Sequence, residues 1–452
     1  MMSRVRSPSP APSTSRRLIE IGCTLNFFIS IPTQPDSILK KSFAALADKN
    51  YLLLWVSSLS SMTSFFMYVV IQSIVAFQLT GQNSSVGLVM IGQGLAMTFL
   101  GPIGGTYADR LSKKRISVIT QTIMTYVFLA NGTLLLLDRL ELWHLIVNSF
   151  VLGVASSFMM PARQGWVVEI VSDELRGNAI ALSQVALNAT RIWAPAIGGL
   201  MISSAFFGAA GAYYAMAGFN VLGILIMFVL PNTTTAGQKR DESVLAGVKS
   251  GISYLRSEPR LGWMMVFFFL MIMVGMSSVT ALPGLLENEL SASAEEFGVL
   301  QAVTAVGGLF ASLVVAGYAA SKSALNIYSV GAGLMGIAIV ATGLSPSYAM
   351  VIIPVLLTGV GMGMFQTLNS AIIAIDCDPR YFGRVTALIG MSFAAFMLIG
   401  WPVGYLADLA GERIAFVVMG GLVLVGAVAL TAIISKTPAP TRLSAQTETP
   451  AD

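Results

Sequence analysis

The sequence predicts an all-α integral membrane protein that crosses the bilayer twelve times, in two pseudo-symmetric six-helix halves. Three observations predict it: a composition too apolar for a soluble surface, a series of apolar runs of spanning length, and positive charge gathered on one side. Of 452 residues, 55% are hydrophobic and 11% charged, with a mean hydropathy of +0.77. A soluble domain covers itself with roughly 25% charged residues, so most of this apolar surface must face lipid. The 43 glycines suit helices that approach closely in a membrane.

Crossing about 30 Å of hydrocarbon takes about 20 residues, and a backbone without water must bond within its own segment. Runs of that length lie at 52–79, 85–108, 116–137, 142–163, 176–203 and 209–231, then at 262–286, 297–320, 324–345, 348–375, 383–408 and 413–435. Cations gather in the N-terminal tail, Arg110 to Arg115, Arg176, the 239–260 segment, Lys322, Arg380, Arg384 and the C-terminal tail. The opposite side carries Asp138, Glu141, Glu287, Glu289, Glu295, Glu296 and Glu412, with Arg139 and Arg413. Basic loops stay inside. Both termini are therefore expected in the cytoplasm of a multi-pass cell-membrane protein, with the loops around Asn83, Asp138 and Glu289 outside.

Residues 1–50 are expected to form a disordered cytoplasmic tail, since Glu20, Asn26 and Pro32 break its only apolar stretch and no small-residue cleavage site follows. The halves are read as 51–231 and 261–435, joined by a 232–260 linker and followed by a 436–452 tail. Within the linker, Leu245, Val248, Ile252 and Leu255 share one helical face, opposite Lys249, Ser253 and Arg256. That pattern predicts a short helix along the cytoplasmic surface, read as a simple connector. A shift of 206 residues aligns Gly153-Val154 with Gly359-Val360, Gly177 with Gly383, and Ala181-Leu182 with Ala387-Leu388. Parallel repeats of this kind place a binding path between halves.

The strongest local pattern is Gly105-Thr-Tyr-Ala-Asp109-Arg110-Leu-Ser-Lys113-Lys114-Arg115, ending the second run. A charge-orientation role explains its cations but not the spaced Gly105 and Asp109. The segment resembles the loop 2–3 signature of the major facilitator superfamily, with Ser112 where that family usually has glycine. Arg191-Ile-Trp-Ala194-Pro195-Ala-Ile-Gly198-Gly199 in the fifth run resembles the Gly-Pro-x-x-Gly-Gly element of the superfamily's exporters, with Ala194 replacing the first glycine. Gly101-Pro102-Ile-Gly104-Gly105 repeats the element in the second run, so a purely architectural role stays open. Phe43-Ala-Ala-Leu, Asn50-Tyr-Leu-Leu-Leu-Trp55, Leu79-Thr-Gly-Gln, Val86-Gly-Leu, Met160-Pro161-Ala-Arg163-Gln164 and Glu169-Ile-Val resemble the macrolide-efflux and enterobactin-exporter-like branch.

The resemblance implies a secondary transporter of a small molecule. The leading expectation is proton-coupled export of a small, partly apolar compound. The alternatives are facilitated uptake or movement of a metabolite or lysolipid and, more remotely, a non-transporting scaffold or sensor. A cytoplasmic gate is implied at Gly105, Asp109, Arg110, Lys114 and Arg115, the aspartate engaging the other half near helix 11; Arg163, at the end of the fourth run, is a candidate partner for Asp109 or a snorkelling residue. No acid lies near mid-membrane, which leaves Asp109, Glu169 and Glu287 as candidate proton shuttles. Gln184, Asn188 and Arg191 share one face of the fifth run. Gln366, Asn369 and Ser370 of the tenth run, with Gln72 of the first, could join them around a substrate. Arg191 could equally tie its helix to carbonyls at Pro195.

Partners are expected to be the substrate, protons and the bilayer, without nucleic acid, and the chain is read as a monomer without cofactor. No lysine follows a glycine, so no phosphate-binding loop is present. Cys23, Cys377 and His144 make neither a metal site nor a catalytic set, so enzymatic activity is not expected.

Overall fold

The computed structural model describes residues 43–232, 244–318, 321, 323–434 and 436–437. Twelve of its helices are long and apolar enough to cross a membrane, and among the described residues there is no strand. The first half holds α1 (Lys49–Thr80), α2 (Asn83–Arg110), α3 (Lys113–Leu136), α4 (Leu142–Ile170), α5 (Arg176–Ser203) and α6 (Gly208–Val229). After the linker helix Val244–Ser257 come α7 (Pro259–Glu289), α8 (Ala294–Ala316), α9 (Ala324–Leu344), α10 (Tyr348–Asp376), α11 (Pro379–Ala410) and α12 (Glu412–Ile434). An even number of crossings puts both ends of this bundle on one face, called here the termini side; the other is the far side.

Several boundaries differ from the apolar runs. Residues 43–50, part of the expected tail, form the 3-10 turn Ala44–Ala47 and the start of α1. The Ala45 amide donates to Asn178 Oδ1 at 2.9 Å, and Asp48 caps α1 through the amides of Asn50 and Tyr51. The rest of that tail, and the C-terminal tail beyond Thr437, lie outside the described residues. Helix α4 continues two turns past the end of its apolar run, because Trp166 and Val167 are buried in the first half. Helix α7 breaks at Ser277, whose Oγ donates back to Met273 O, and again near Pro283, which has no N–H to donate. A π turn over Leu285–Glu289 follows.

Both halves have apolar cores and inter-helix hydroxyl bonds, but their most prominent ties differ. In the first, α1 runs a ladder of hydroxyls down α6: Ser57 donates to Gly223 O (3.1 Å), Ser60 to Phe219 O (2.5 Å) and Ser64 to Met216 O (3.0 Å). In lipid each such bond joins helices that hydrophobicity alone would not. In the second, an aromatic stack does the joining, with Tyr328 against Phe365 (4.4 Å between ring centres) and Phe365 against Phe268 (5.5 Å).

The halves meet along two helix pairs, α2 with α11 and α5 with α8. The linker helix is docked rather than free. Arg384 Nη1 donates to Ser250 Oγ (2.7 Å), the Asp378 amide donates to Tyr254 Oη (3.0 Å), and Tyr254 stacks on Tyr381 (4.4 Å). Burial pushes the Tyr254 phenol above its ordinary pKa, against the pull of the Asp378 amide.

Candidate transport path and gates

The seam between halves is tight at its far end. A Cβ on Gly87 of α2 would lie 2.4 Å from Trp401 Cα of α11, and one on Gly404 would meet Asn83 O at 2.4 Å. Across the other pair, a Cβ on Gly298 of α8 would meet Pro195 O at 2.5 Å. No side chain fits at these crossings. On the termini side the same helices have room, with nothing within 4 Å of a Cβ built on Gly177 of α5 or on Gly383 and Gly390 of α11. The Ala194–Gly199 element is thus where α5 crosses the other half, whereas in the Gly101–Gly105 element Gly104 packs on Ser157 O of its own half.

Pro195 sits on the same face of α5 as Gln184, Asn188 and Arg191, at spacings of four, three and four residues. The face that touches α8 at Pro195 is therefore polar toward the termini side. Gln184 is exposed, while Asn188 and Arg191 are half-buried. The Arg191 guanidinium lies over the Phe66 ring of α1, 5.5 Å from its centre, so its described contact is this ring and not the carbonyls at Pro195. Gln366 of α10 is half-buried with Nε2 unpartnered, and Gln72 of α1 is buried with Oε1 unpartnered. Asn369 departs from the expected lining: it is fully buried inside the second half, its Oδ1 accepting from Tyr328 Oη at 3.3 Å. Ser370 is exposed on the same helix.

The expected gate residues separate. Gly105, Asp109 and Arg110 close α2, and their side chains lie outside the described residues. Lys114 Nζ donates to the carbonyls of Phe228 and Leu230, closing the C-terminal turn of α6. Arg115 is exposed. Arg163 is neither at a helix end nor at the interface: it is 7% exposed, seven residues inside α4. Its Nη2 donates to Ser57 Oγ (3.4 Å), Ser61 Oγ (3.0 Å) and Gln121 Oε1 (2.9 Å), while Nε and Nη1 have no hydrogen-bond partner. All three acceptors are neutral and belong to its own half. Glu169, a candidate shuttle, is ion-paired with Lys113, and Glu287 is exposed on the far side in the π turn.

A group to which the sequence expectations gave no site role, its acid read only as lying toward a helix end, stands at the far end of the seam. Asp408 of α11 accepts from the Asn83 amide (2.7 Å), Asn83 Nδ2 (3.2 Å) and the Ser84 amide (2.9 Å). Glu412 Oε1 accepts from Asn83 Nδ2 (3.0 Å) and Asn288 Nδ2 (2.7 Å). The signal available in sequence was only an acid near the end of one run and an asparagine before another.

Residues 40–449 match the family of transmembrane secretion effectors. An MFS-type transporter of Bacillus subtilis, YfiS, is 26% identical over 86% of this chain and 94% of its own length. Macrolide efflux protein A of Streptococcus pyogenes is 21% identical over 78% of this chain and 89% of its own. Among solved structures, a bacterial homologue of the human lysosomal transporter Spinster superposes with a TM-score of 0.71 at 12% identity, covering 86% of this chain and 97% of that one. Twelve spanning helices, a seam of two helix pairs and a family match over nearly the whole length agree: the chain belongs to the transmembrane secretion effector family of major facilitator transporters.

Proposed function

We propose that the protein exports a small, partly apolar compound by alternating access, in exchange for protons, with its termini side in the cytoplasm. The observation that carries this reading is the single face of α5 that seals against α8 at Pro195 and turns polar below it, through Arg191, Asn188 and Gln184. A compound entering from the termini side meets hydrogen-bonding groups on otherwise apolar walls and is stopped by the seal above. Arg191 receives an anionic or strongly hydrogen-bonding part of the substrate, with Gln366 beside it, while Gln72 is buried at the level of the seal. A guanidinium at this depth costs several kcal/mol when it faces lipid, which favours its place on the seam. Basic loops on the termini side support the orientation, and the efflux relative supports export.

Asp109 and Arg110 at the end of α2 form the gate on the termini side, with Asp109 gaining charge–dipole energy near α11 only while the halves touch there. Arg163 is removed from this gate as a cross-seam partner, since its described bonds stay within the first half.

The test is a resistance and accumulation screen comparing cells with and without the gene. Export predicts higher accumulation of at least one toxic compound without it, and import predicts the reverse. For a compound so found, Arg191→Lys and Arg191→Gln are expected to raise the apparent KM with protein yield unchanged, the glutamine variant more. Loss of both variants from the membrane would make Arg191 a strut. Asp109→Asn is expected to cut transport strongly at normal expression, and full transport would remove it from the gate.

A further inference from the structure

Helix α2 begins at Asn83 with first-turn amides that have no partner within the helix. Helices usually supply their own cap from the residue just before the first turn. Here the cap comes from the other half of the molecule, 325 positions away in the chain. Both oxygens of Asp408 are used, one on the Asn83 amide and side chain and one on the Ser84 amide. The positive end of the α2 dipole faces the same carboxylate.

We infer that Asp408 is a positioning residue that latches the far side of the seam, by capping α2 from α11 across the boundary between halves. The inference rests on the alternating-access reading above. Glu412, 7% exposed, stands behind the latch and ties Asn83 to Asn288 of α7. The neighbouring cation is committed elsewhere: Arg413 pairs with Glu289 (2.7 Å) and donates to the carbonyls of Gly343 and Ser345. Asp408 thus relies wholly, and Glu412 partly, on amide donors of the opposite half, and those opposite-half donors are present only while the far side is shut. Where the halves part, water takes both roles, so the latch biases closure by a modest factor rather than locking it. That is the behaviour a gate requires, because substrate binding must be able to overcome it.

The close crossings of Gly87 and Gly404 lie within a turn or two of this cap. They provide surface for closure but no direction to the charge. Asp408 supplies the register, because a carboxylate one turn higher or lower on α11 would miss the Asn83 and Ser84 amides.

The test uses the full chain in lipid vesicles with spin labels at Gln82 and Leu409, both exposed and on either side of the cap. The native protein is expected to give mainly one short distance. Asp408→Asn keeps the shape, removes the charge and sets an amide donor against amide donors. It is expected to shift the ratio of separated to closed far side by roughly tenfold, at unchanged protein yield, with Asp408→Glu recovering part of the short distance. An unchanged distribution in Asp408→Asn overturns the latch. Should that variant fail to reach the membrane, Asn83→Ala removes the side-chain bonds to Asp408 and Glu412 while sparing the backbone amides. A smaller shift in the same direction then supports the latch, and none overturns it. No substrate enters this measurement, so its failure is separate from failure of the export reading.

Discussion

The two halves share an architecture and an apolar core, but they differ in what ties their helices most conspicuously. The first half joins α1 to α6 through serine hydroxyls and buries the Arg163 guanidinium among Ser57, Ser61 and Gln121. The second buries Phe268, Tyr328 and Phe365 in a stack and admits one amide, Asn369, to receive the tyrosine hydroxyl. An aromatic stack is bound by area and shape, and it is costly to disturb. A guanidinium with neutral partners is a different object: the charge is held without a compensating carboxylate among the described residues, so it contributes little to stability. The difference teaches where to look for function. The first half carries the loop motif, the polar stripe of α5 and the buried arginine, while the second supplies the aromatic stack and the carboxylate of the far-side latch.

Three changes break or sharpen this contrast, in order of expected effect on stability. Phe365→Ala removes the middle ring of the stack and is expected to lower unfolding free energy by about 3–5 kcal/mol, the usual range for emptying a buried aromatic site. A thermal-unfolding midpoint in detergent reads it directly; a small loss would mean that the stack is not the main tie of the second half. Ser60→Ala removes one rung of the first-half ladder and is expected to cost about 1 kcal/mol, so the same measurement should show a shift severalfold smaller. Arg163→Met is expected to leave the midpoint unchanged or higher. The Ser57 and Ser61 hydroxyls already donate to Gly223 O and Ser57 O, so only Gln121 Oε1 loses its donor. A clear drop in midpoint would instead show that the charge is stabilising, and would make the two interiors more alike than they look.

The outcome at Arg163 shows how sequence and structure part company. Met160-Pro161-Ala-Arg163-Gln164 looked like the polar end of an apolar run, because hydropathy averages over a window and a charged residue lowers it. In the fold the helix runs on to Ile170, since what it meets at Trp166 and Val167 is protein, not water. Asn369 shows the converse. Its spacing with Gln366 placed it on a polar face, but a helix buried on several sides has more than one polar face, and only the neighbour, Tyr328, decides which one it presents. The linker helix was legible from its periodicity, while its docking on α11 was not, because Arg384 and Tyr381 lie more than a hundred residues on.

By itself the sequence determined the class of the protein, the number and approximate length of its crossings, and the motif ending α2, because those properties follow from local composition against a fixed bilayer thickness. It also singled out the stripe of Gln184, Asn188 and Arg191, since helical period alone puts those residues on one face. Only the tertiary structure decided that this face is the one sealing against α8, that Glu169 is paired with Lys113, and that Asp408 meets the first amides of α2. Each of these is a meeting of groups far apart in the chain. A residue's chemistry is local, but its partners are fixed by the packing of helices whose contact faces no single segment specifies.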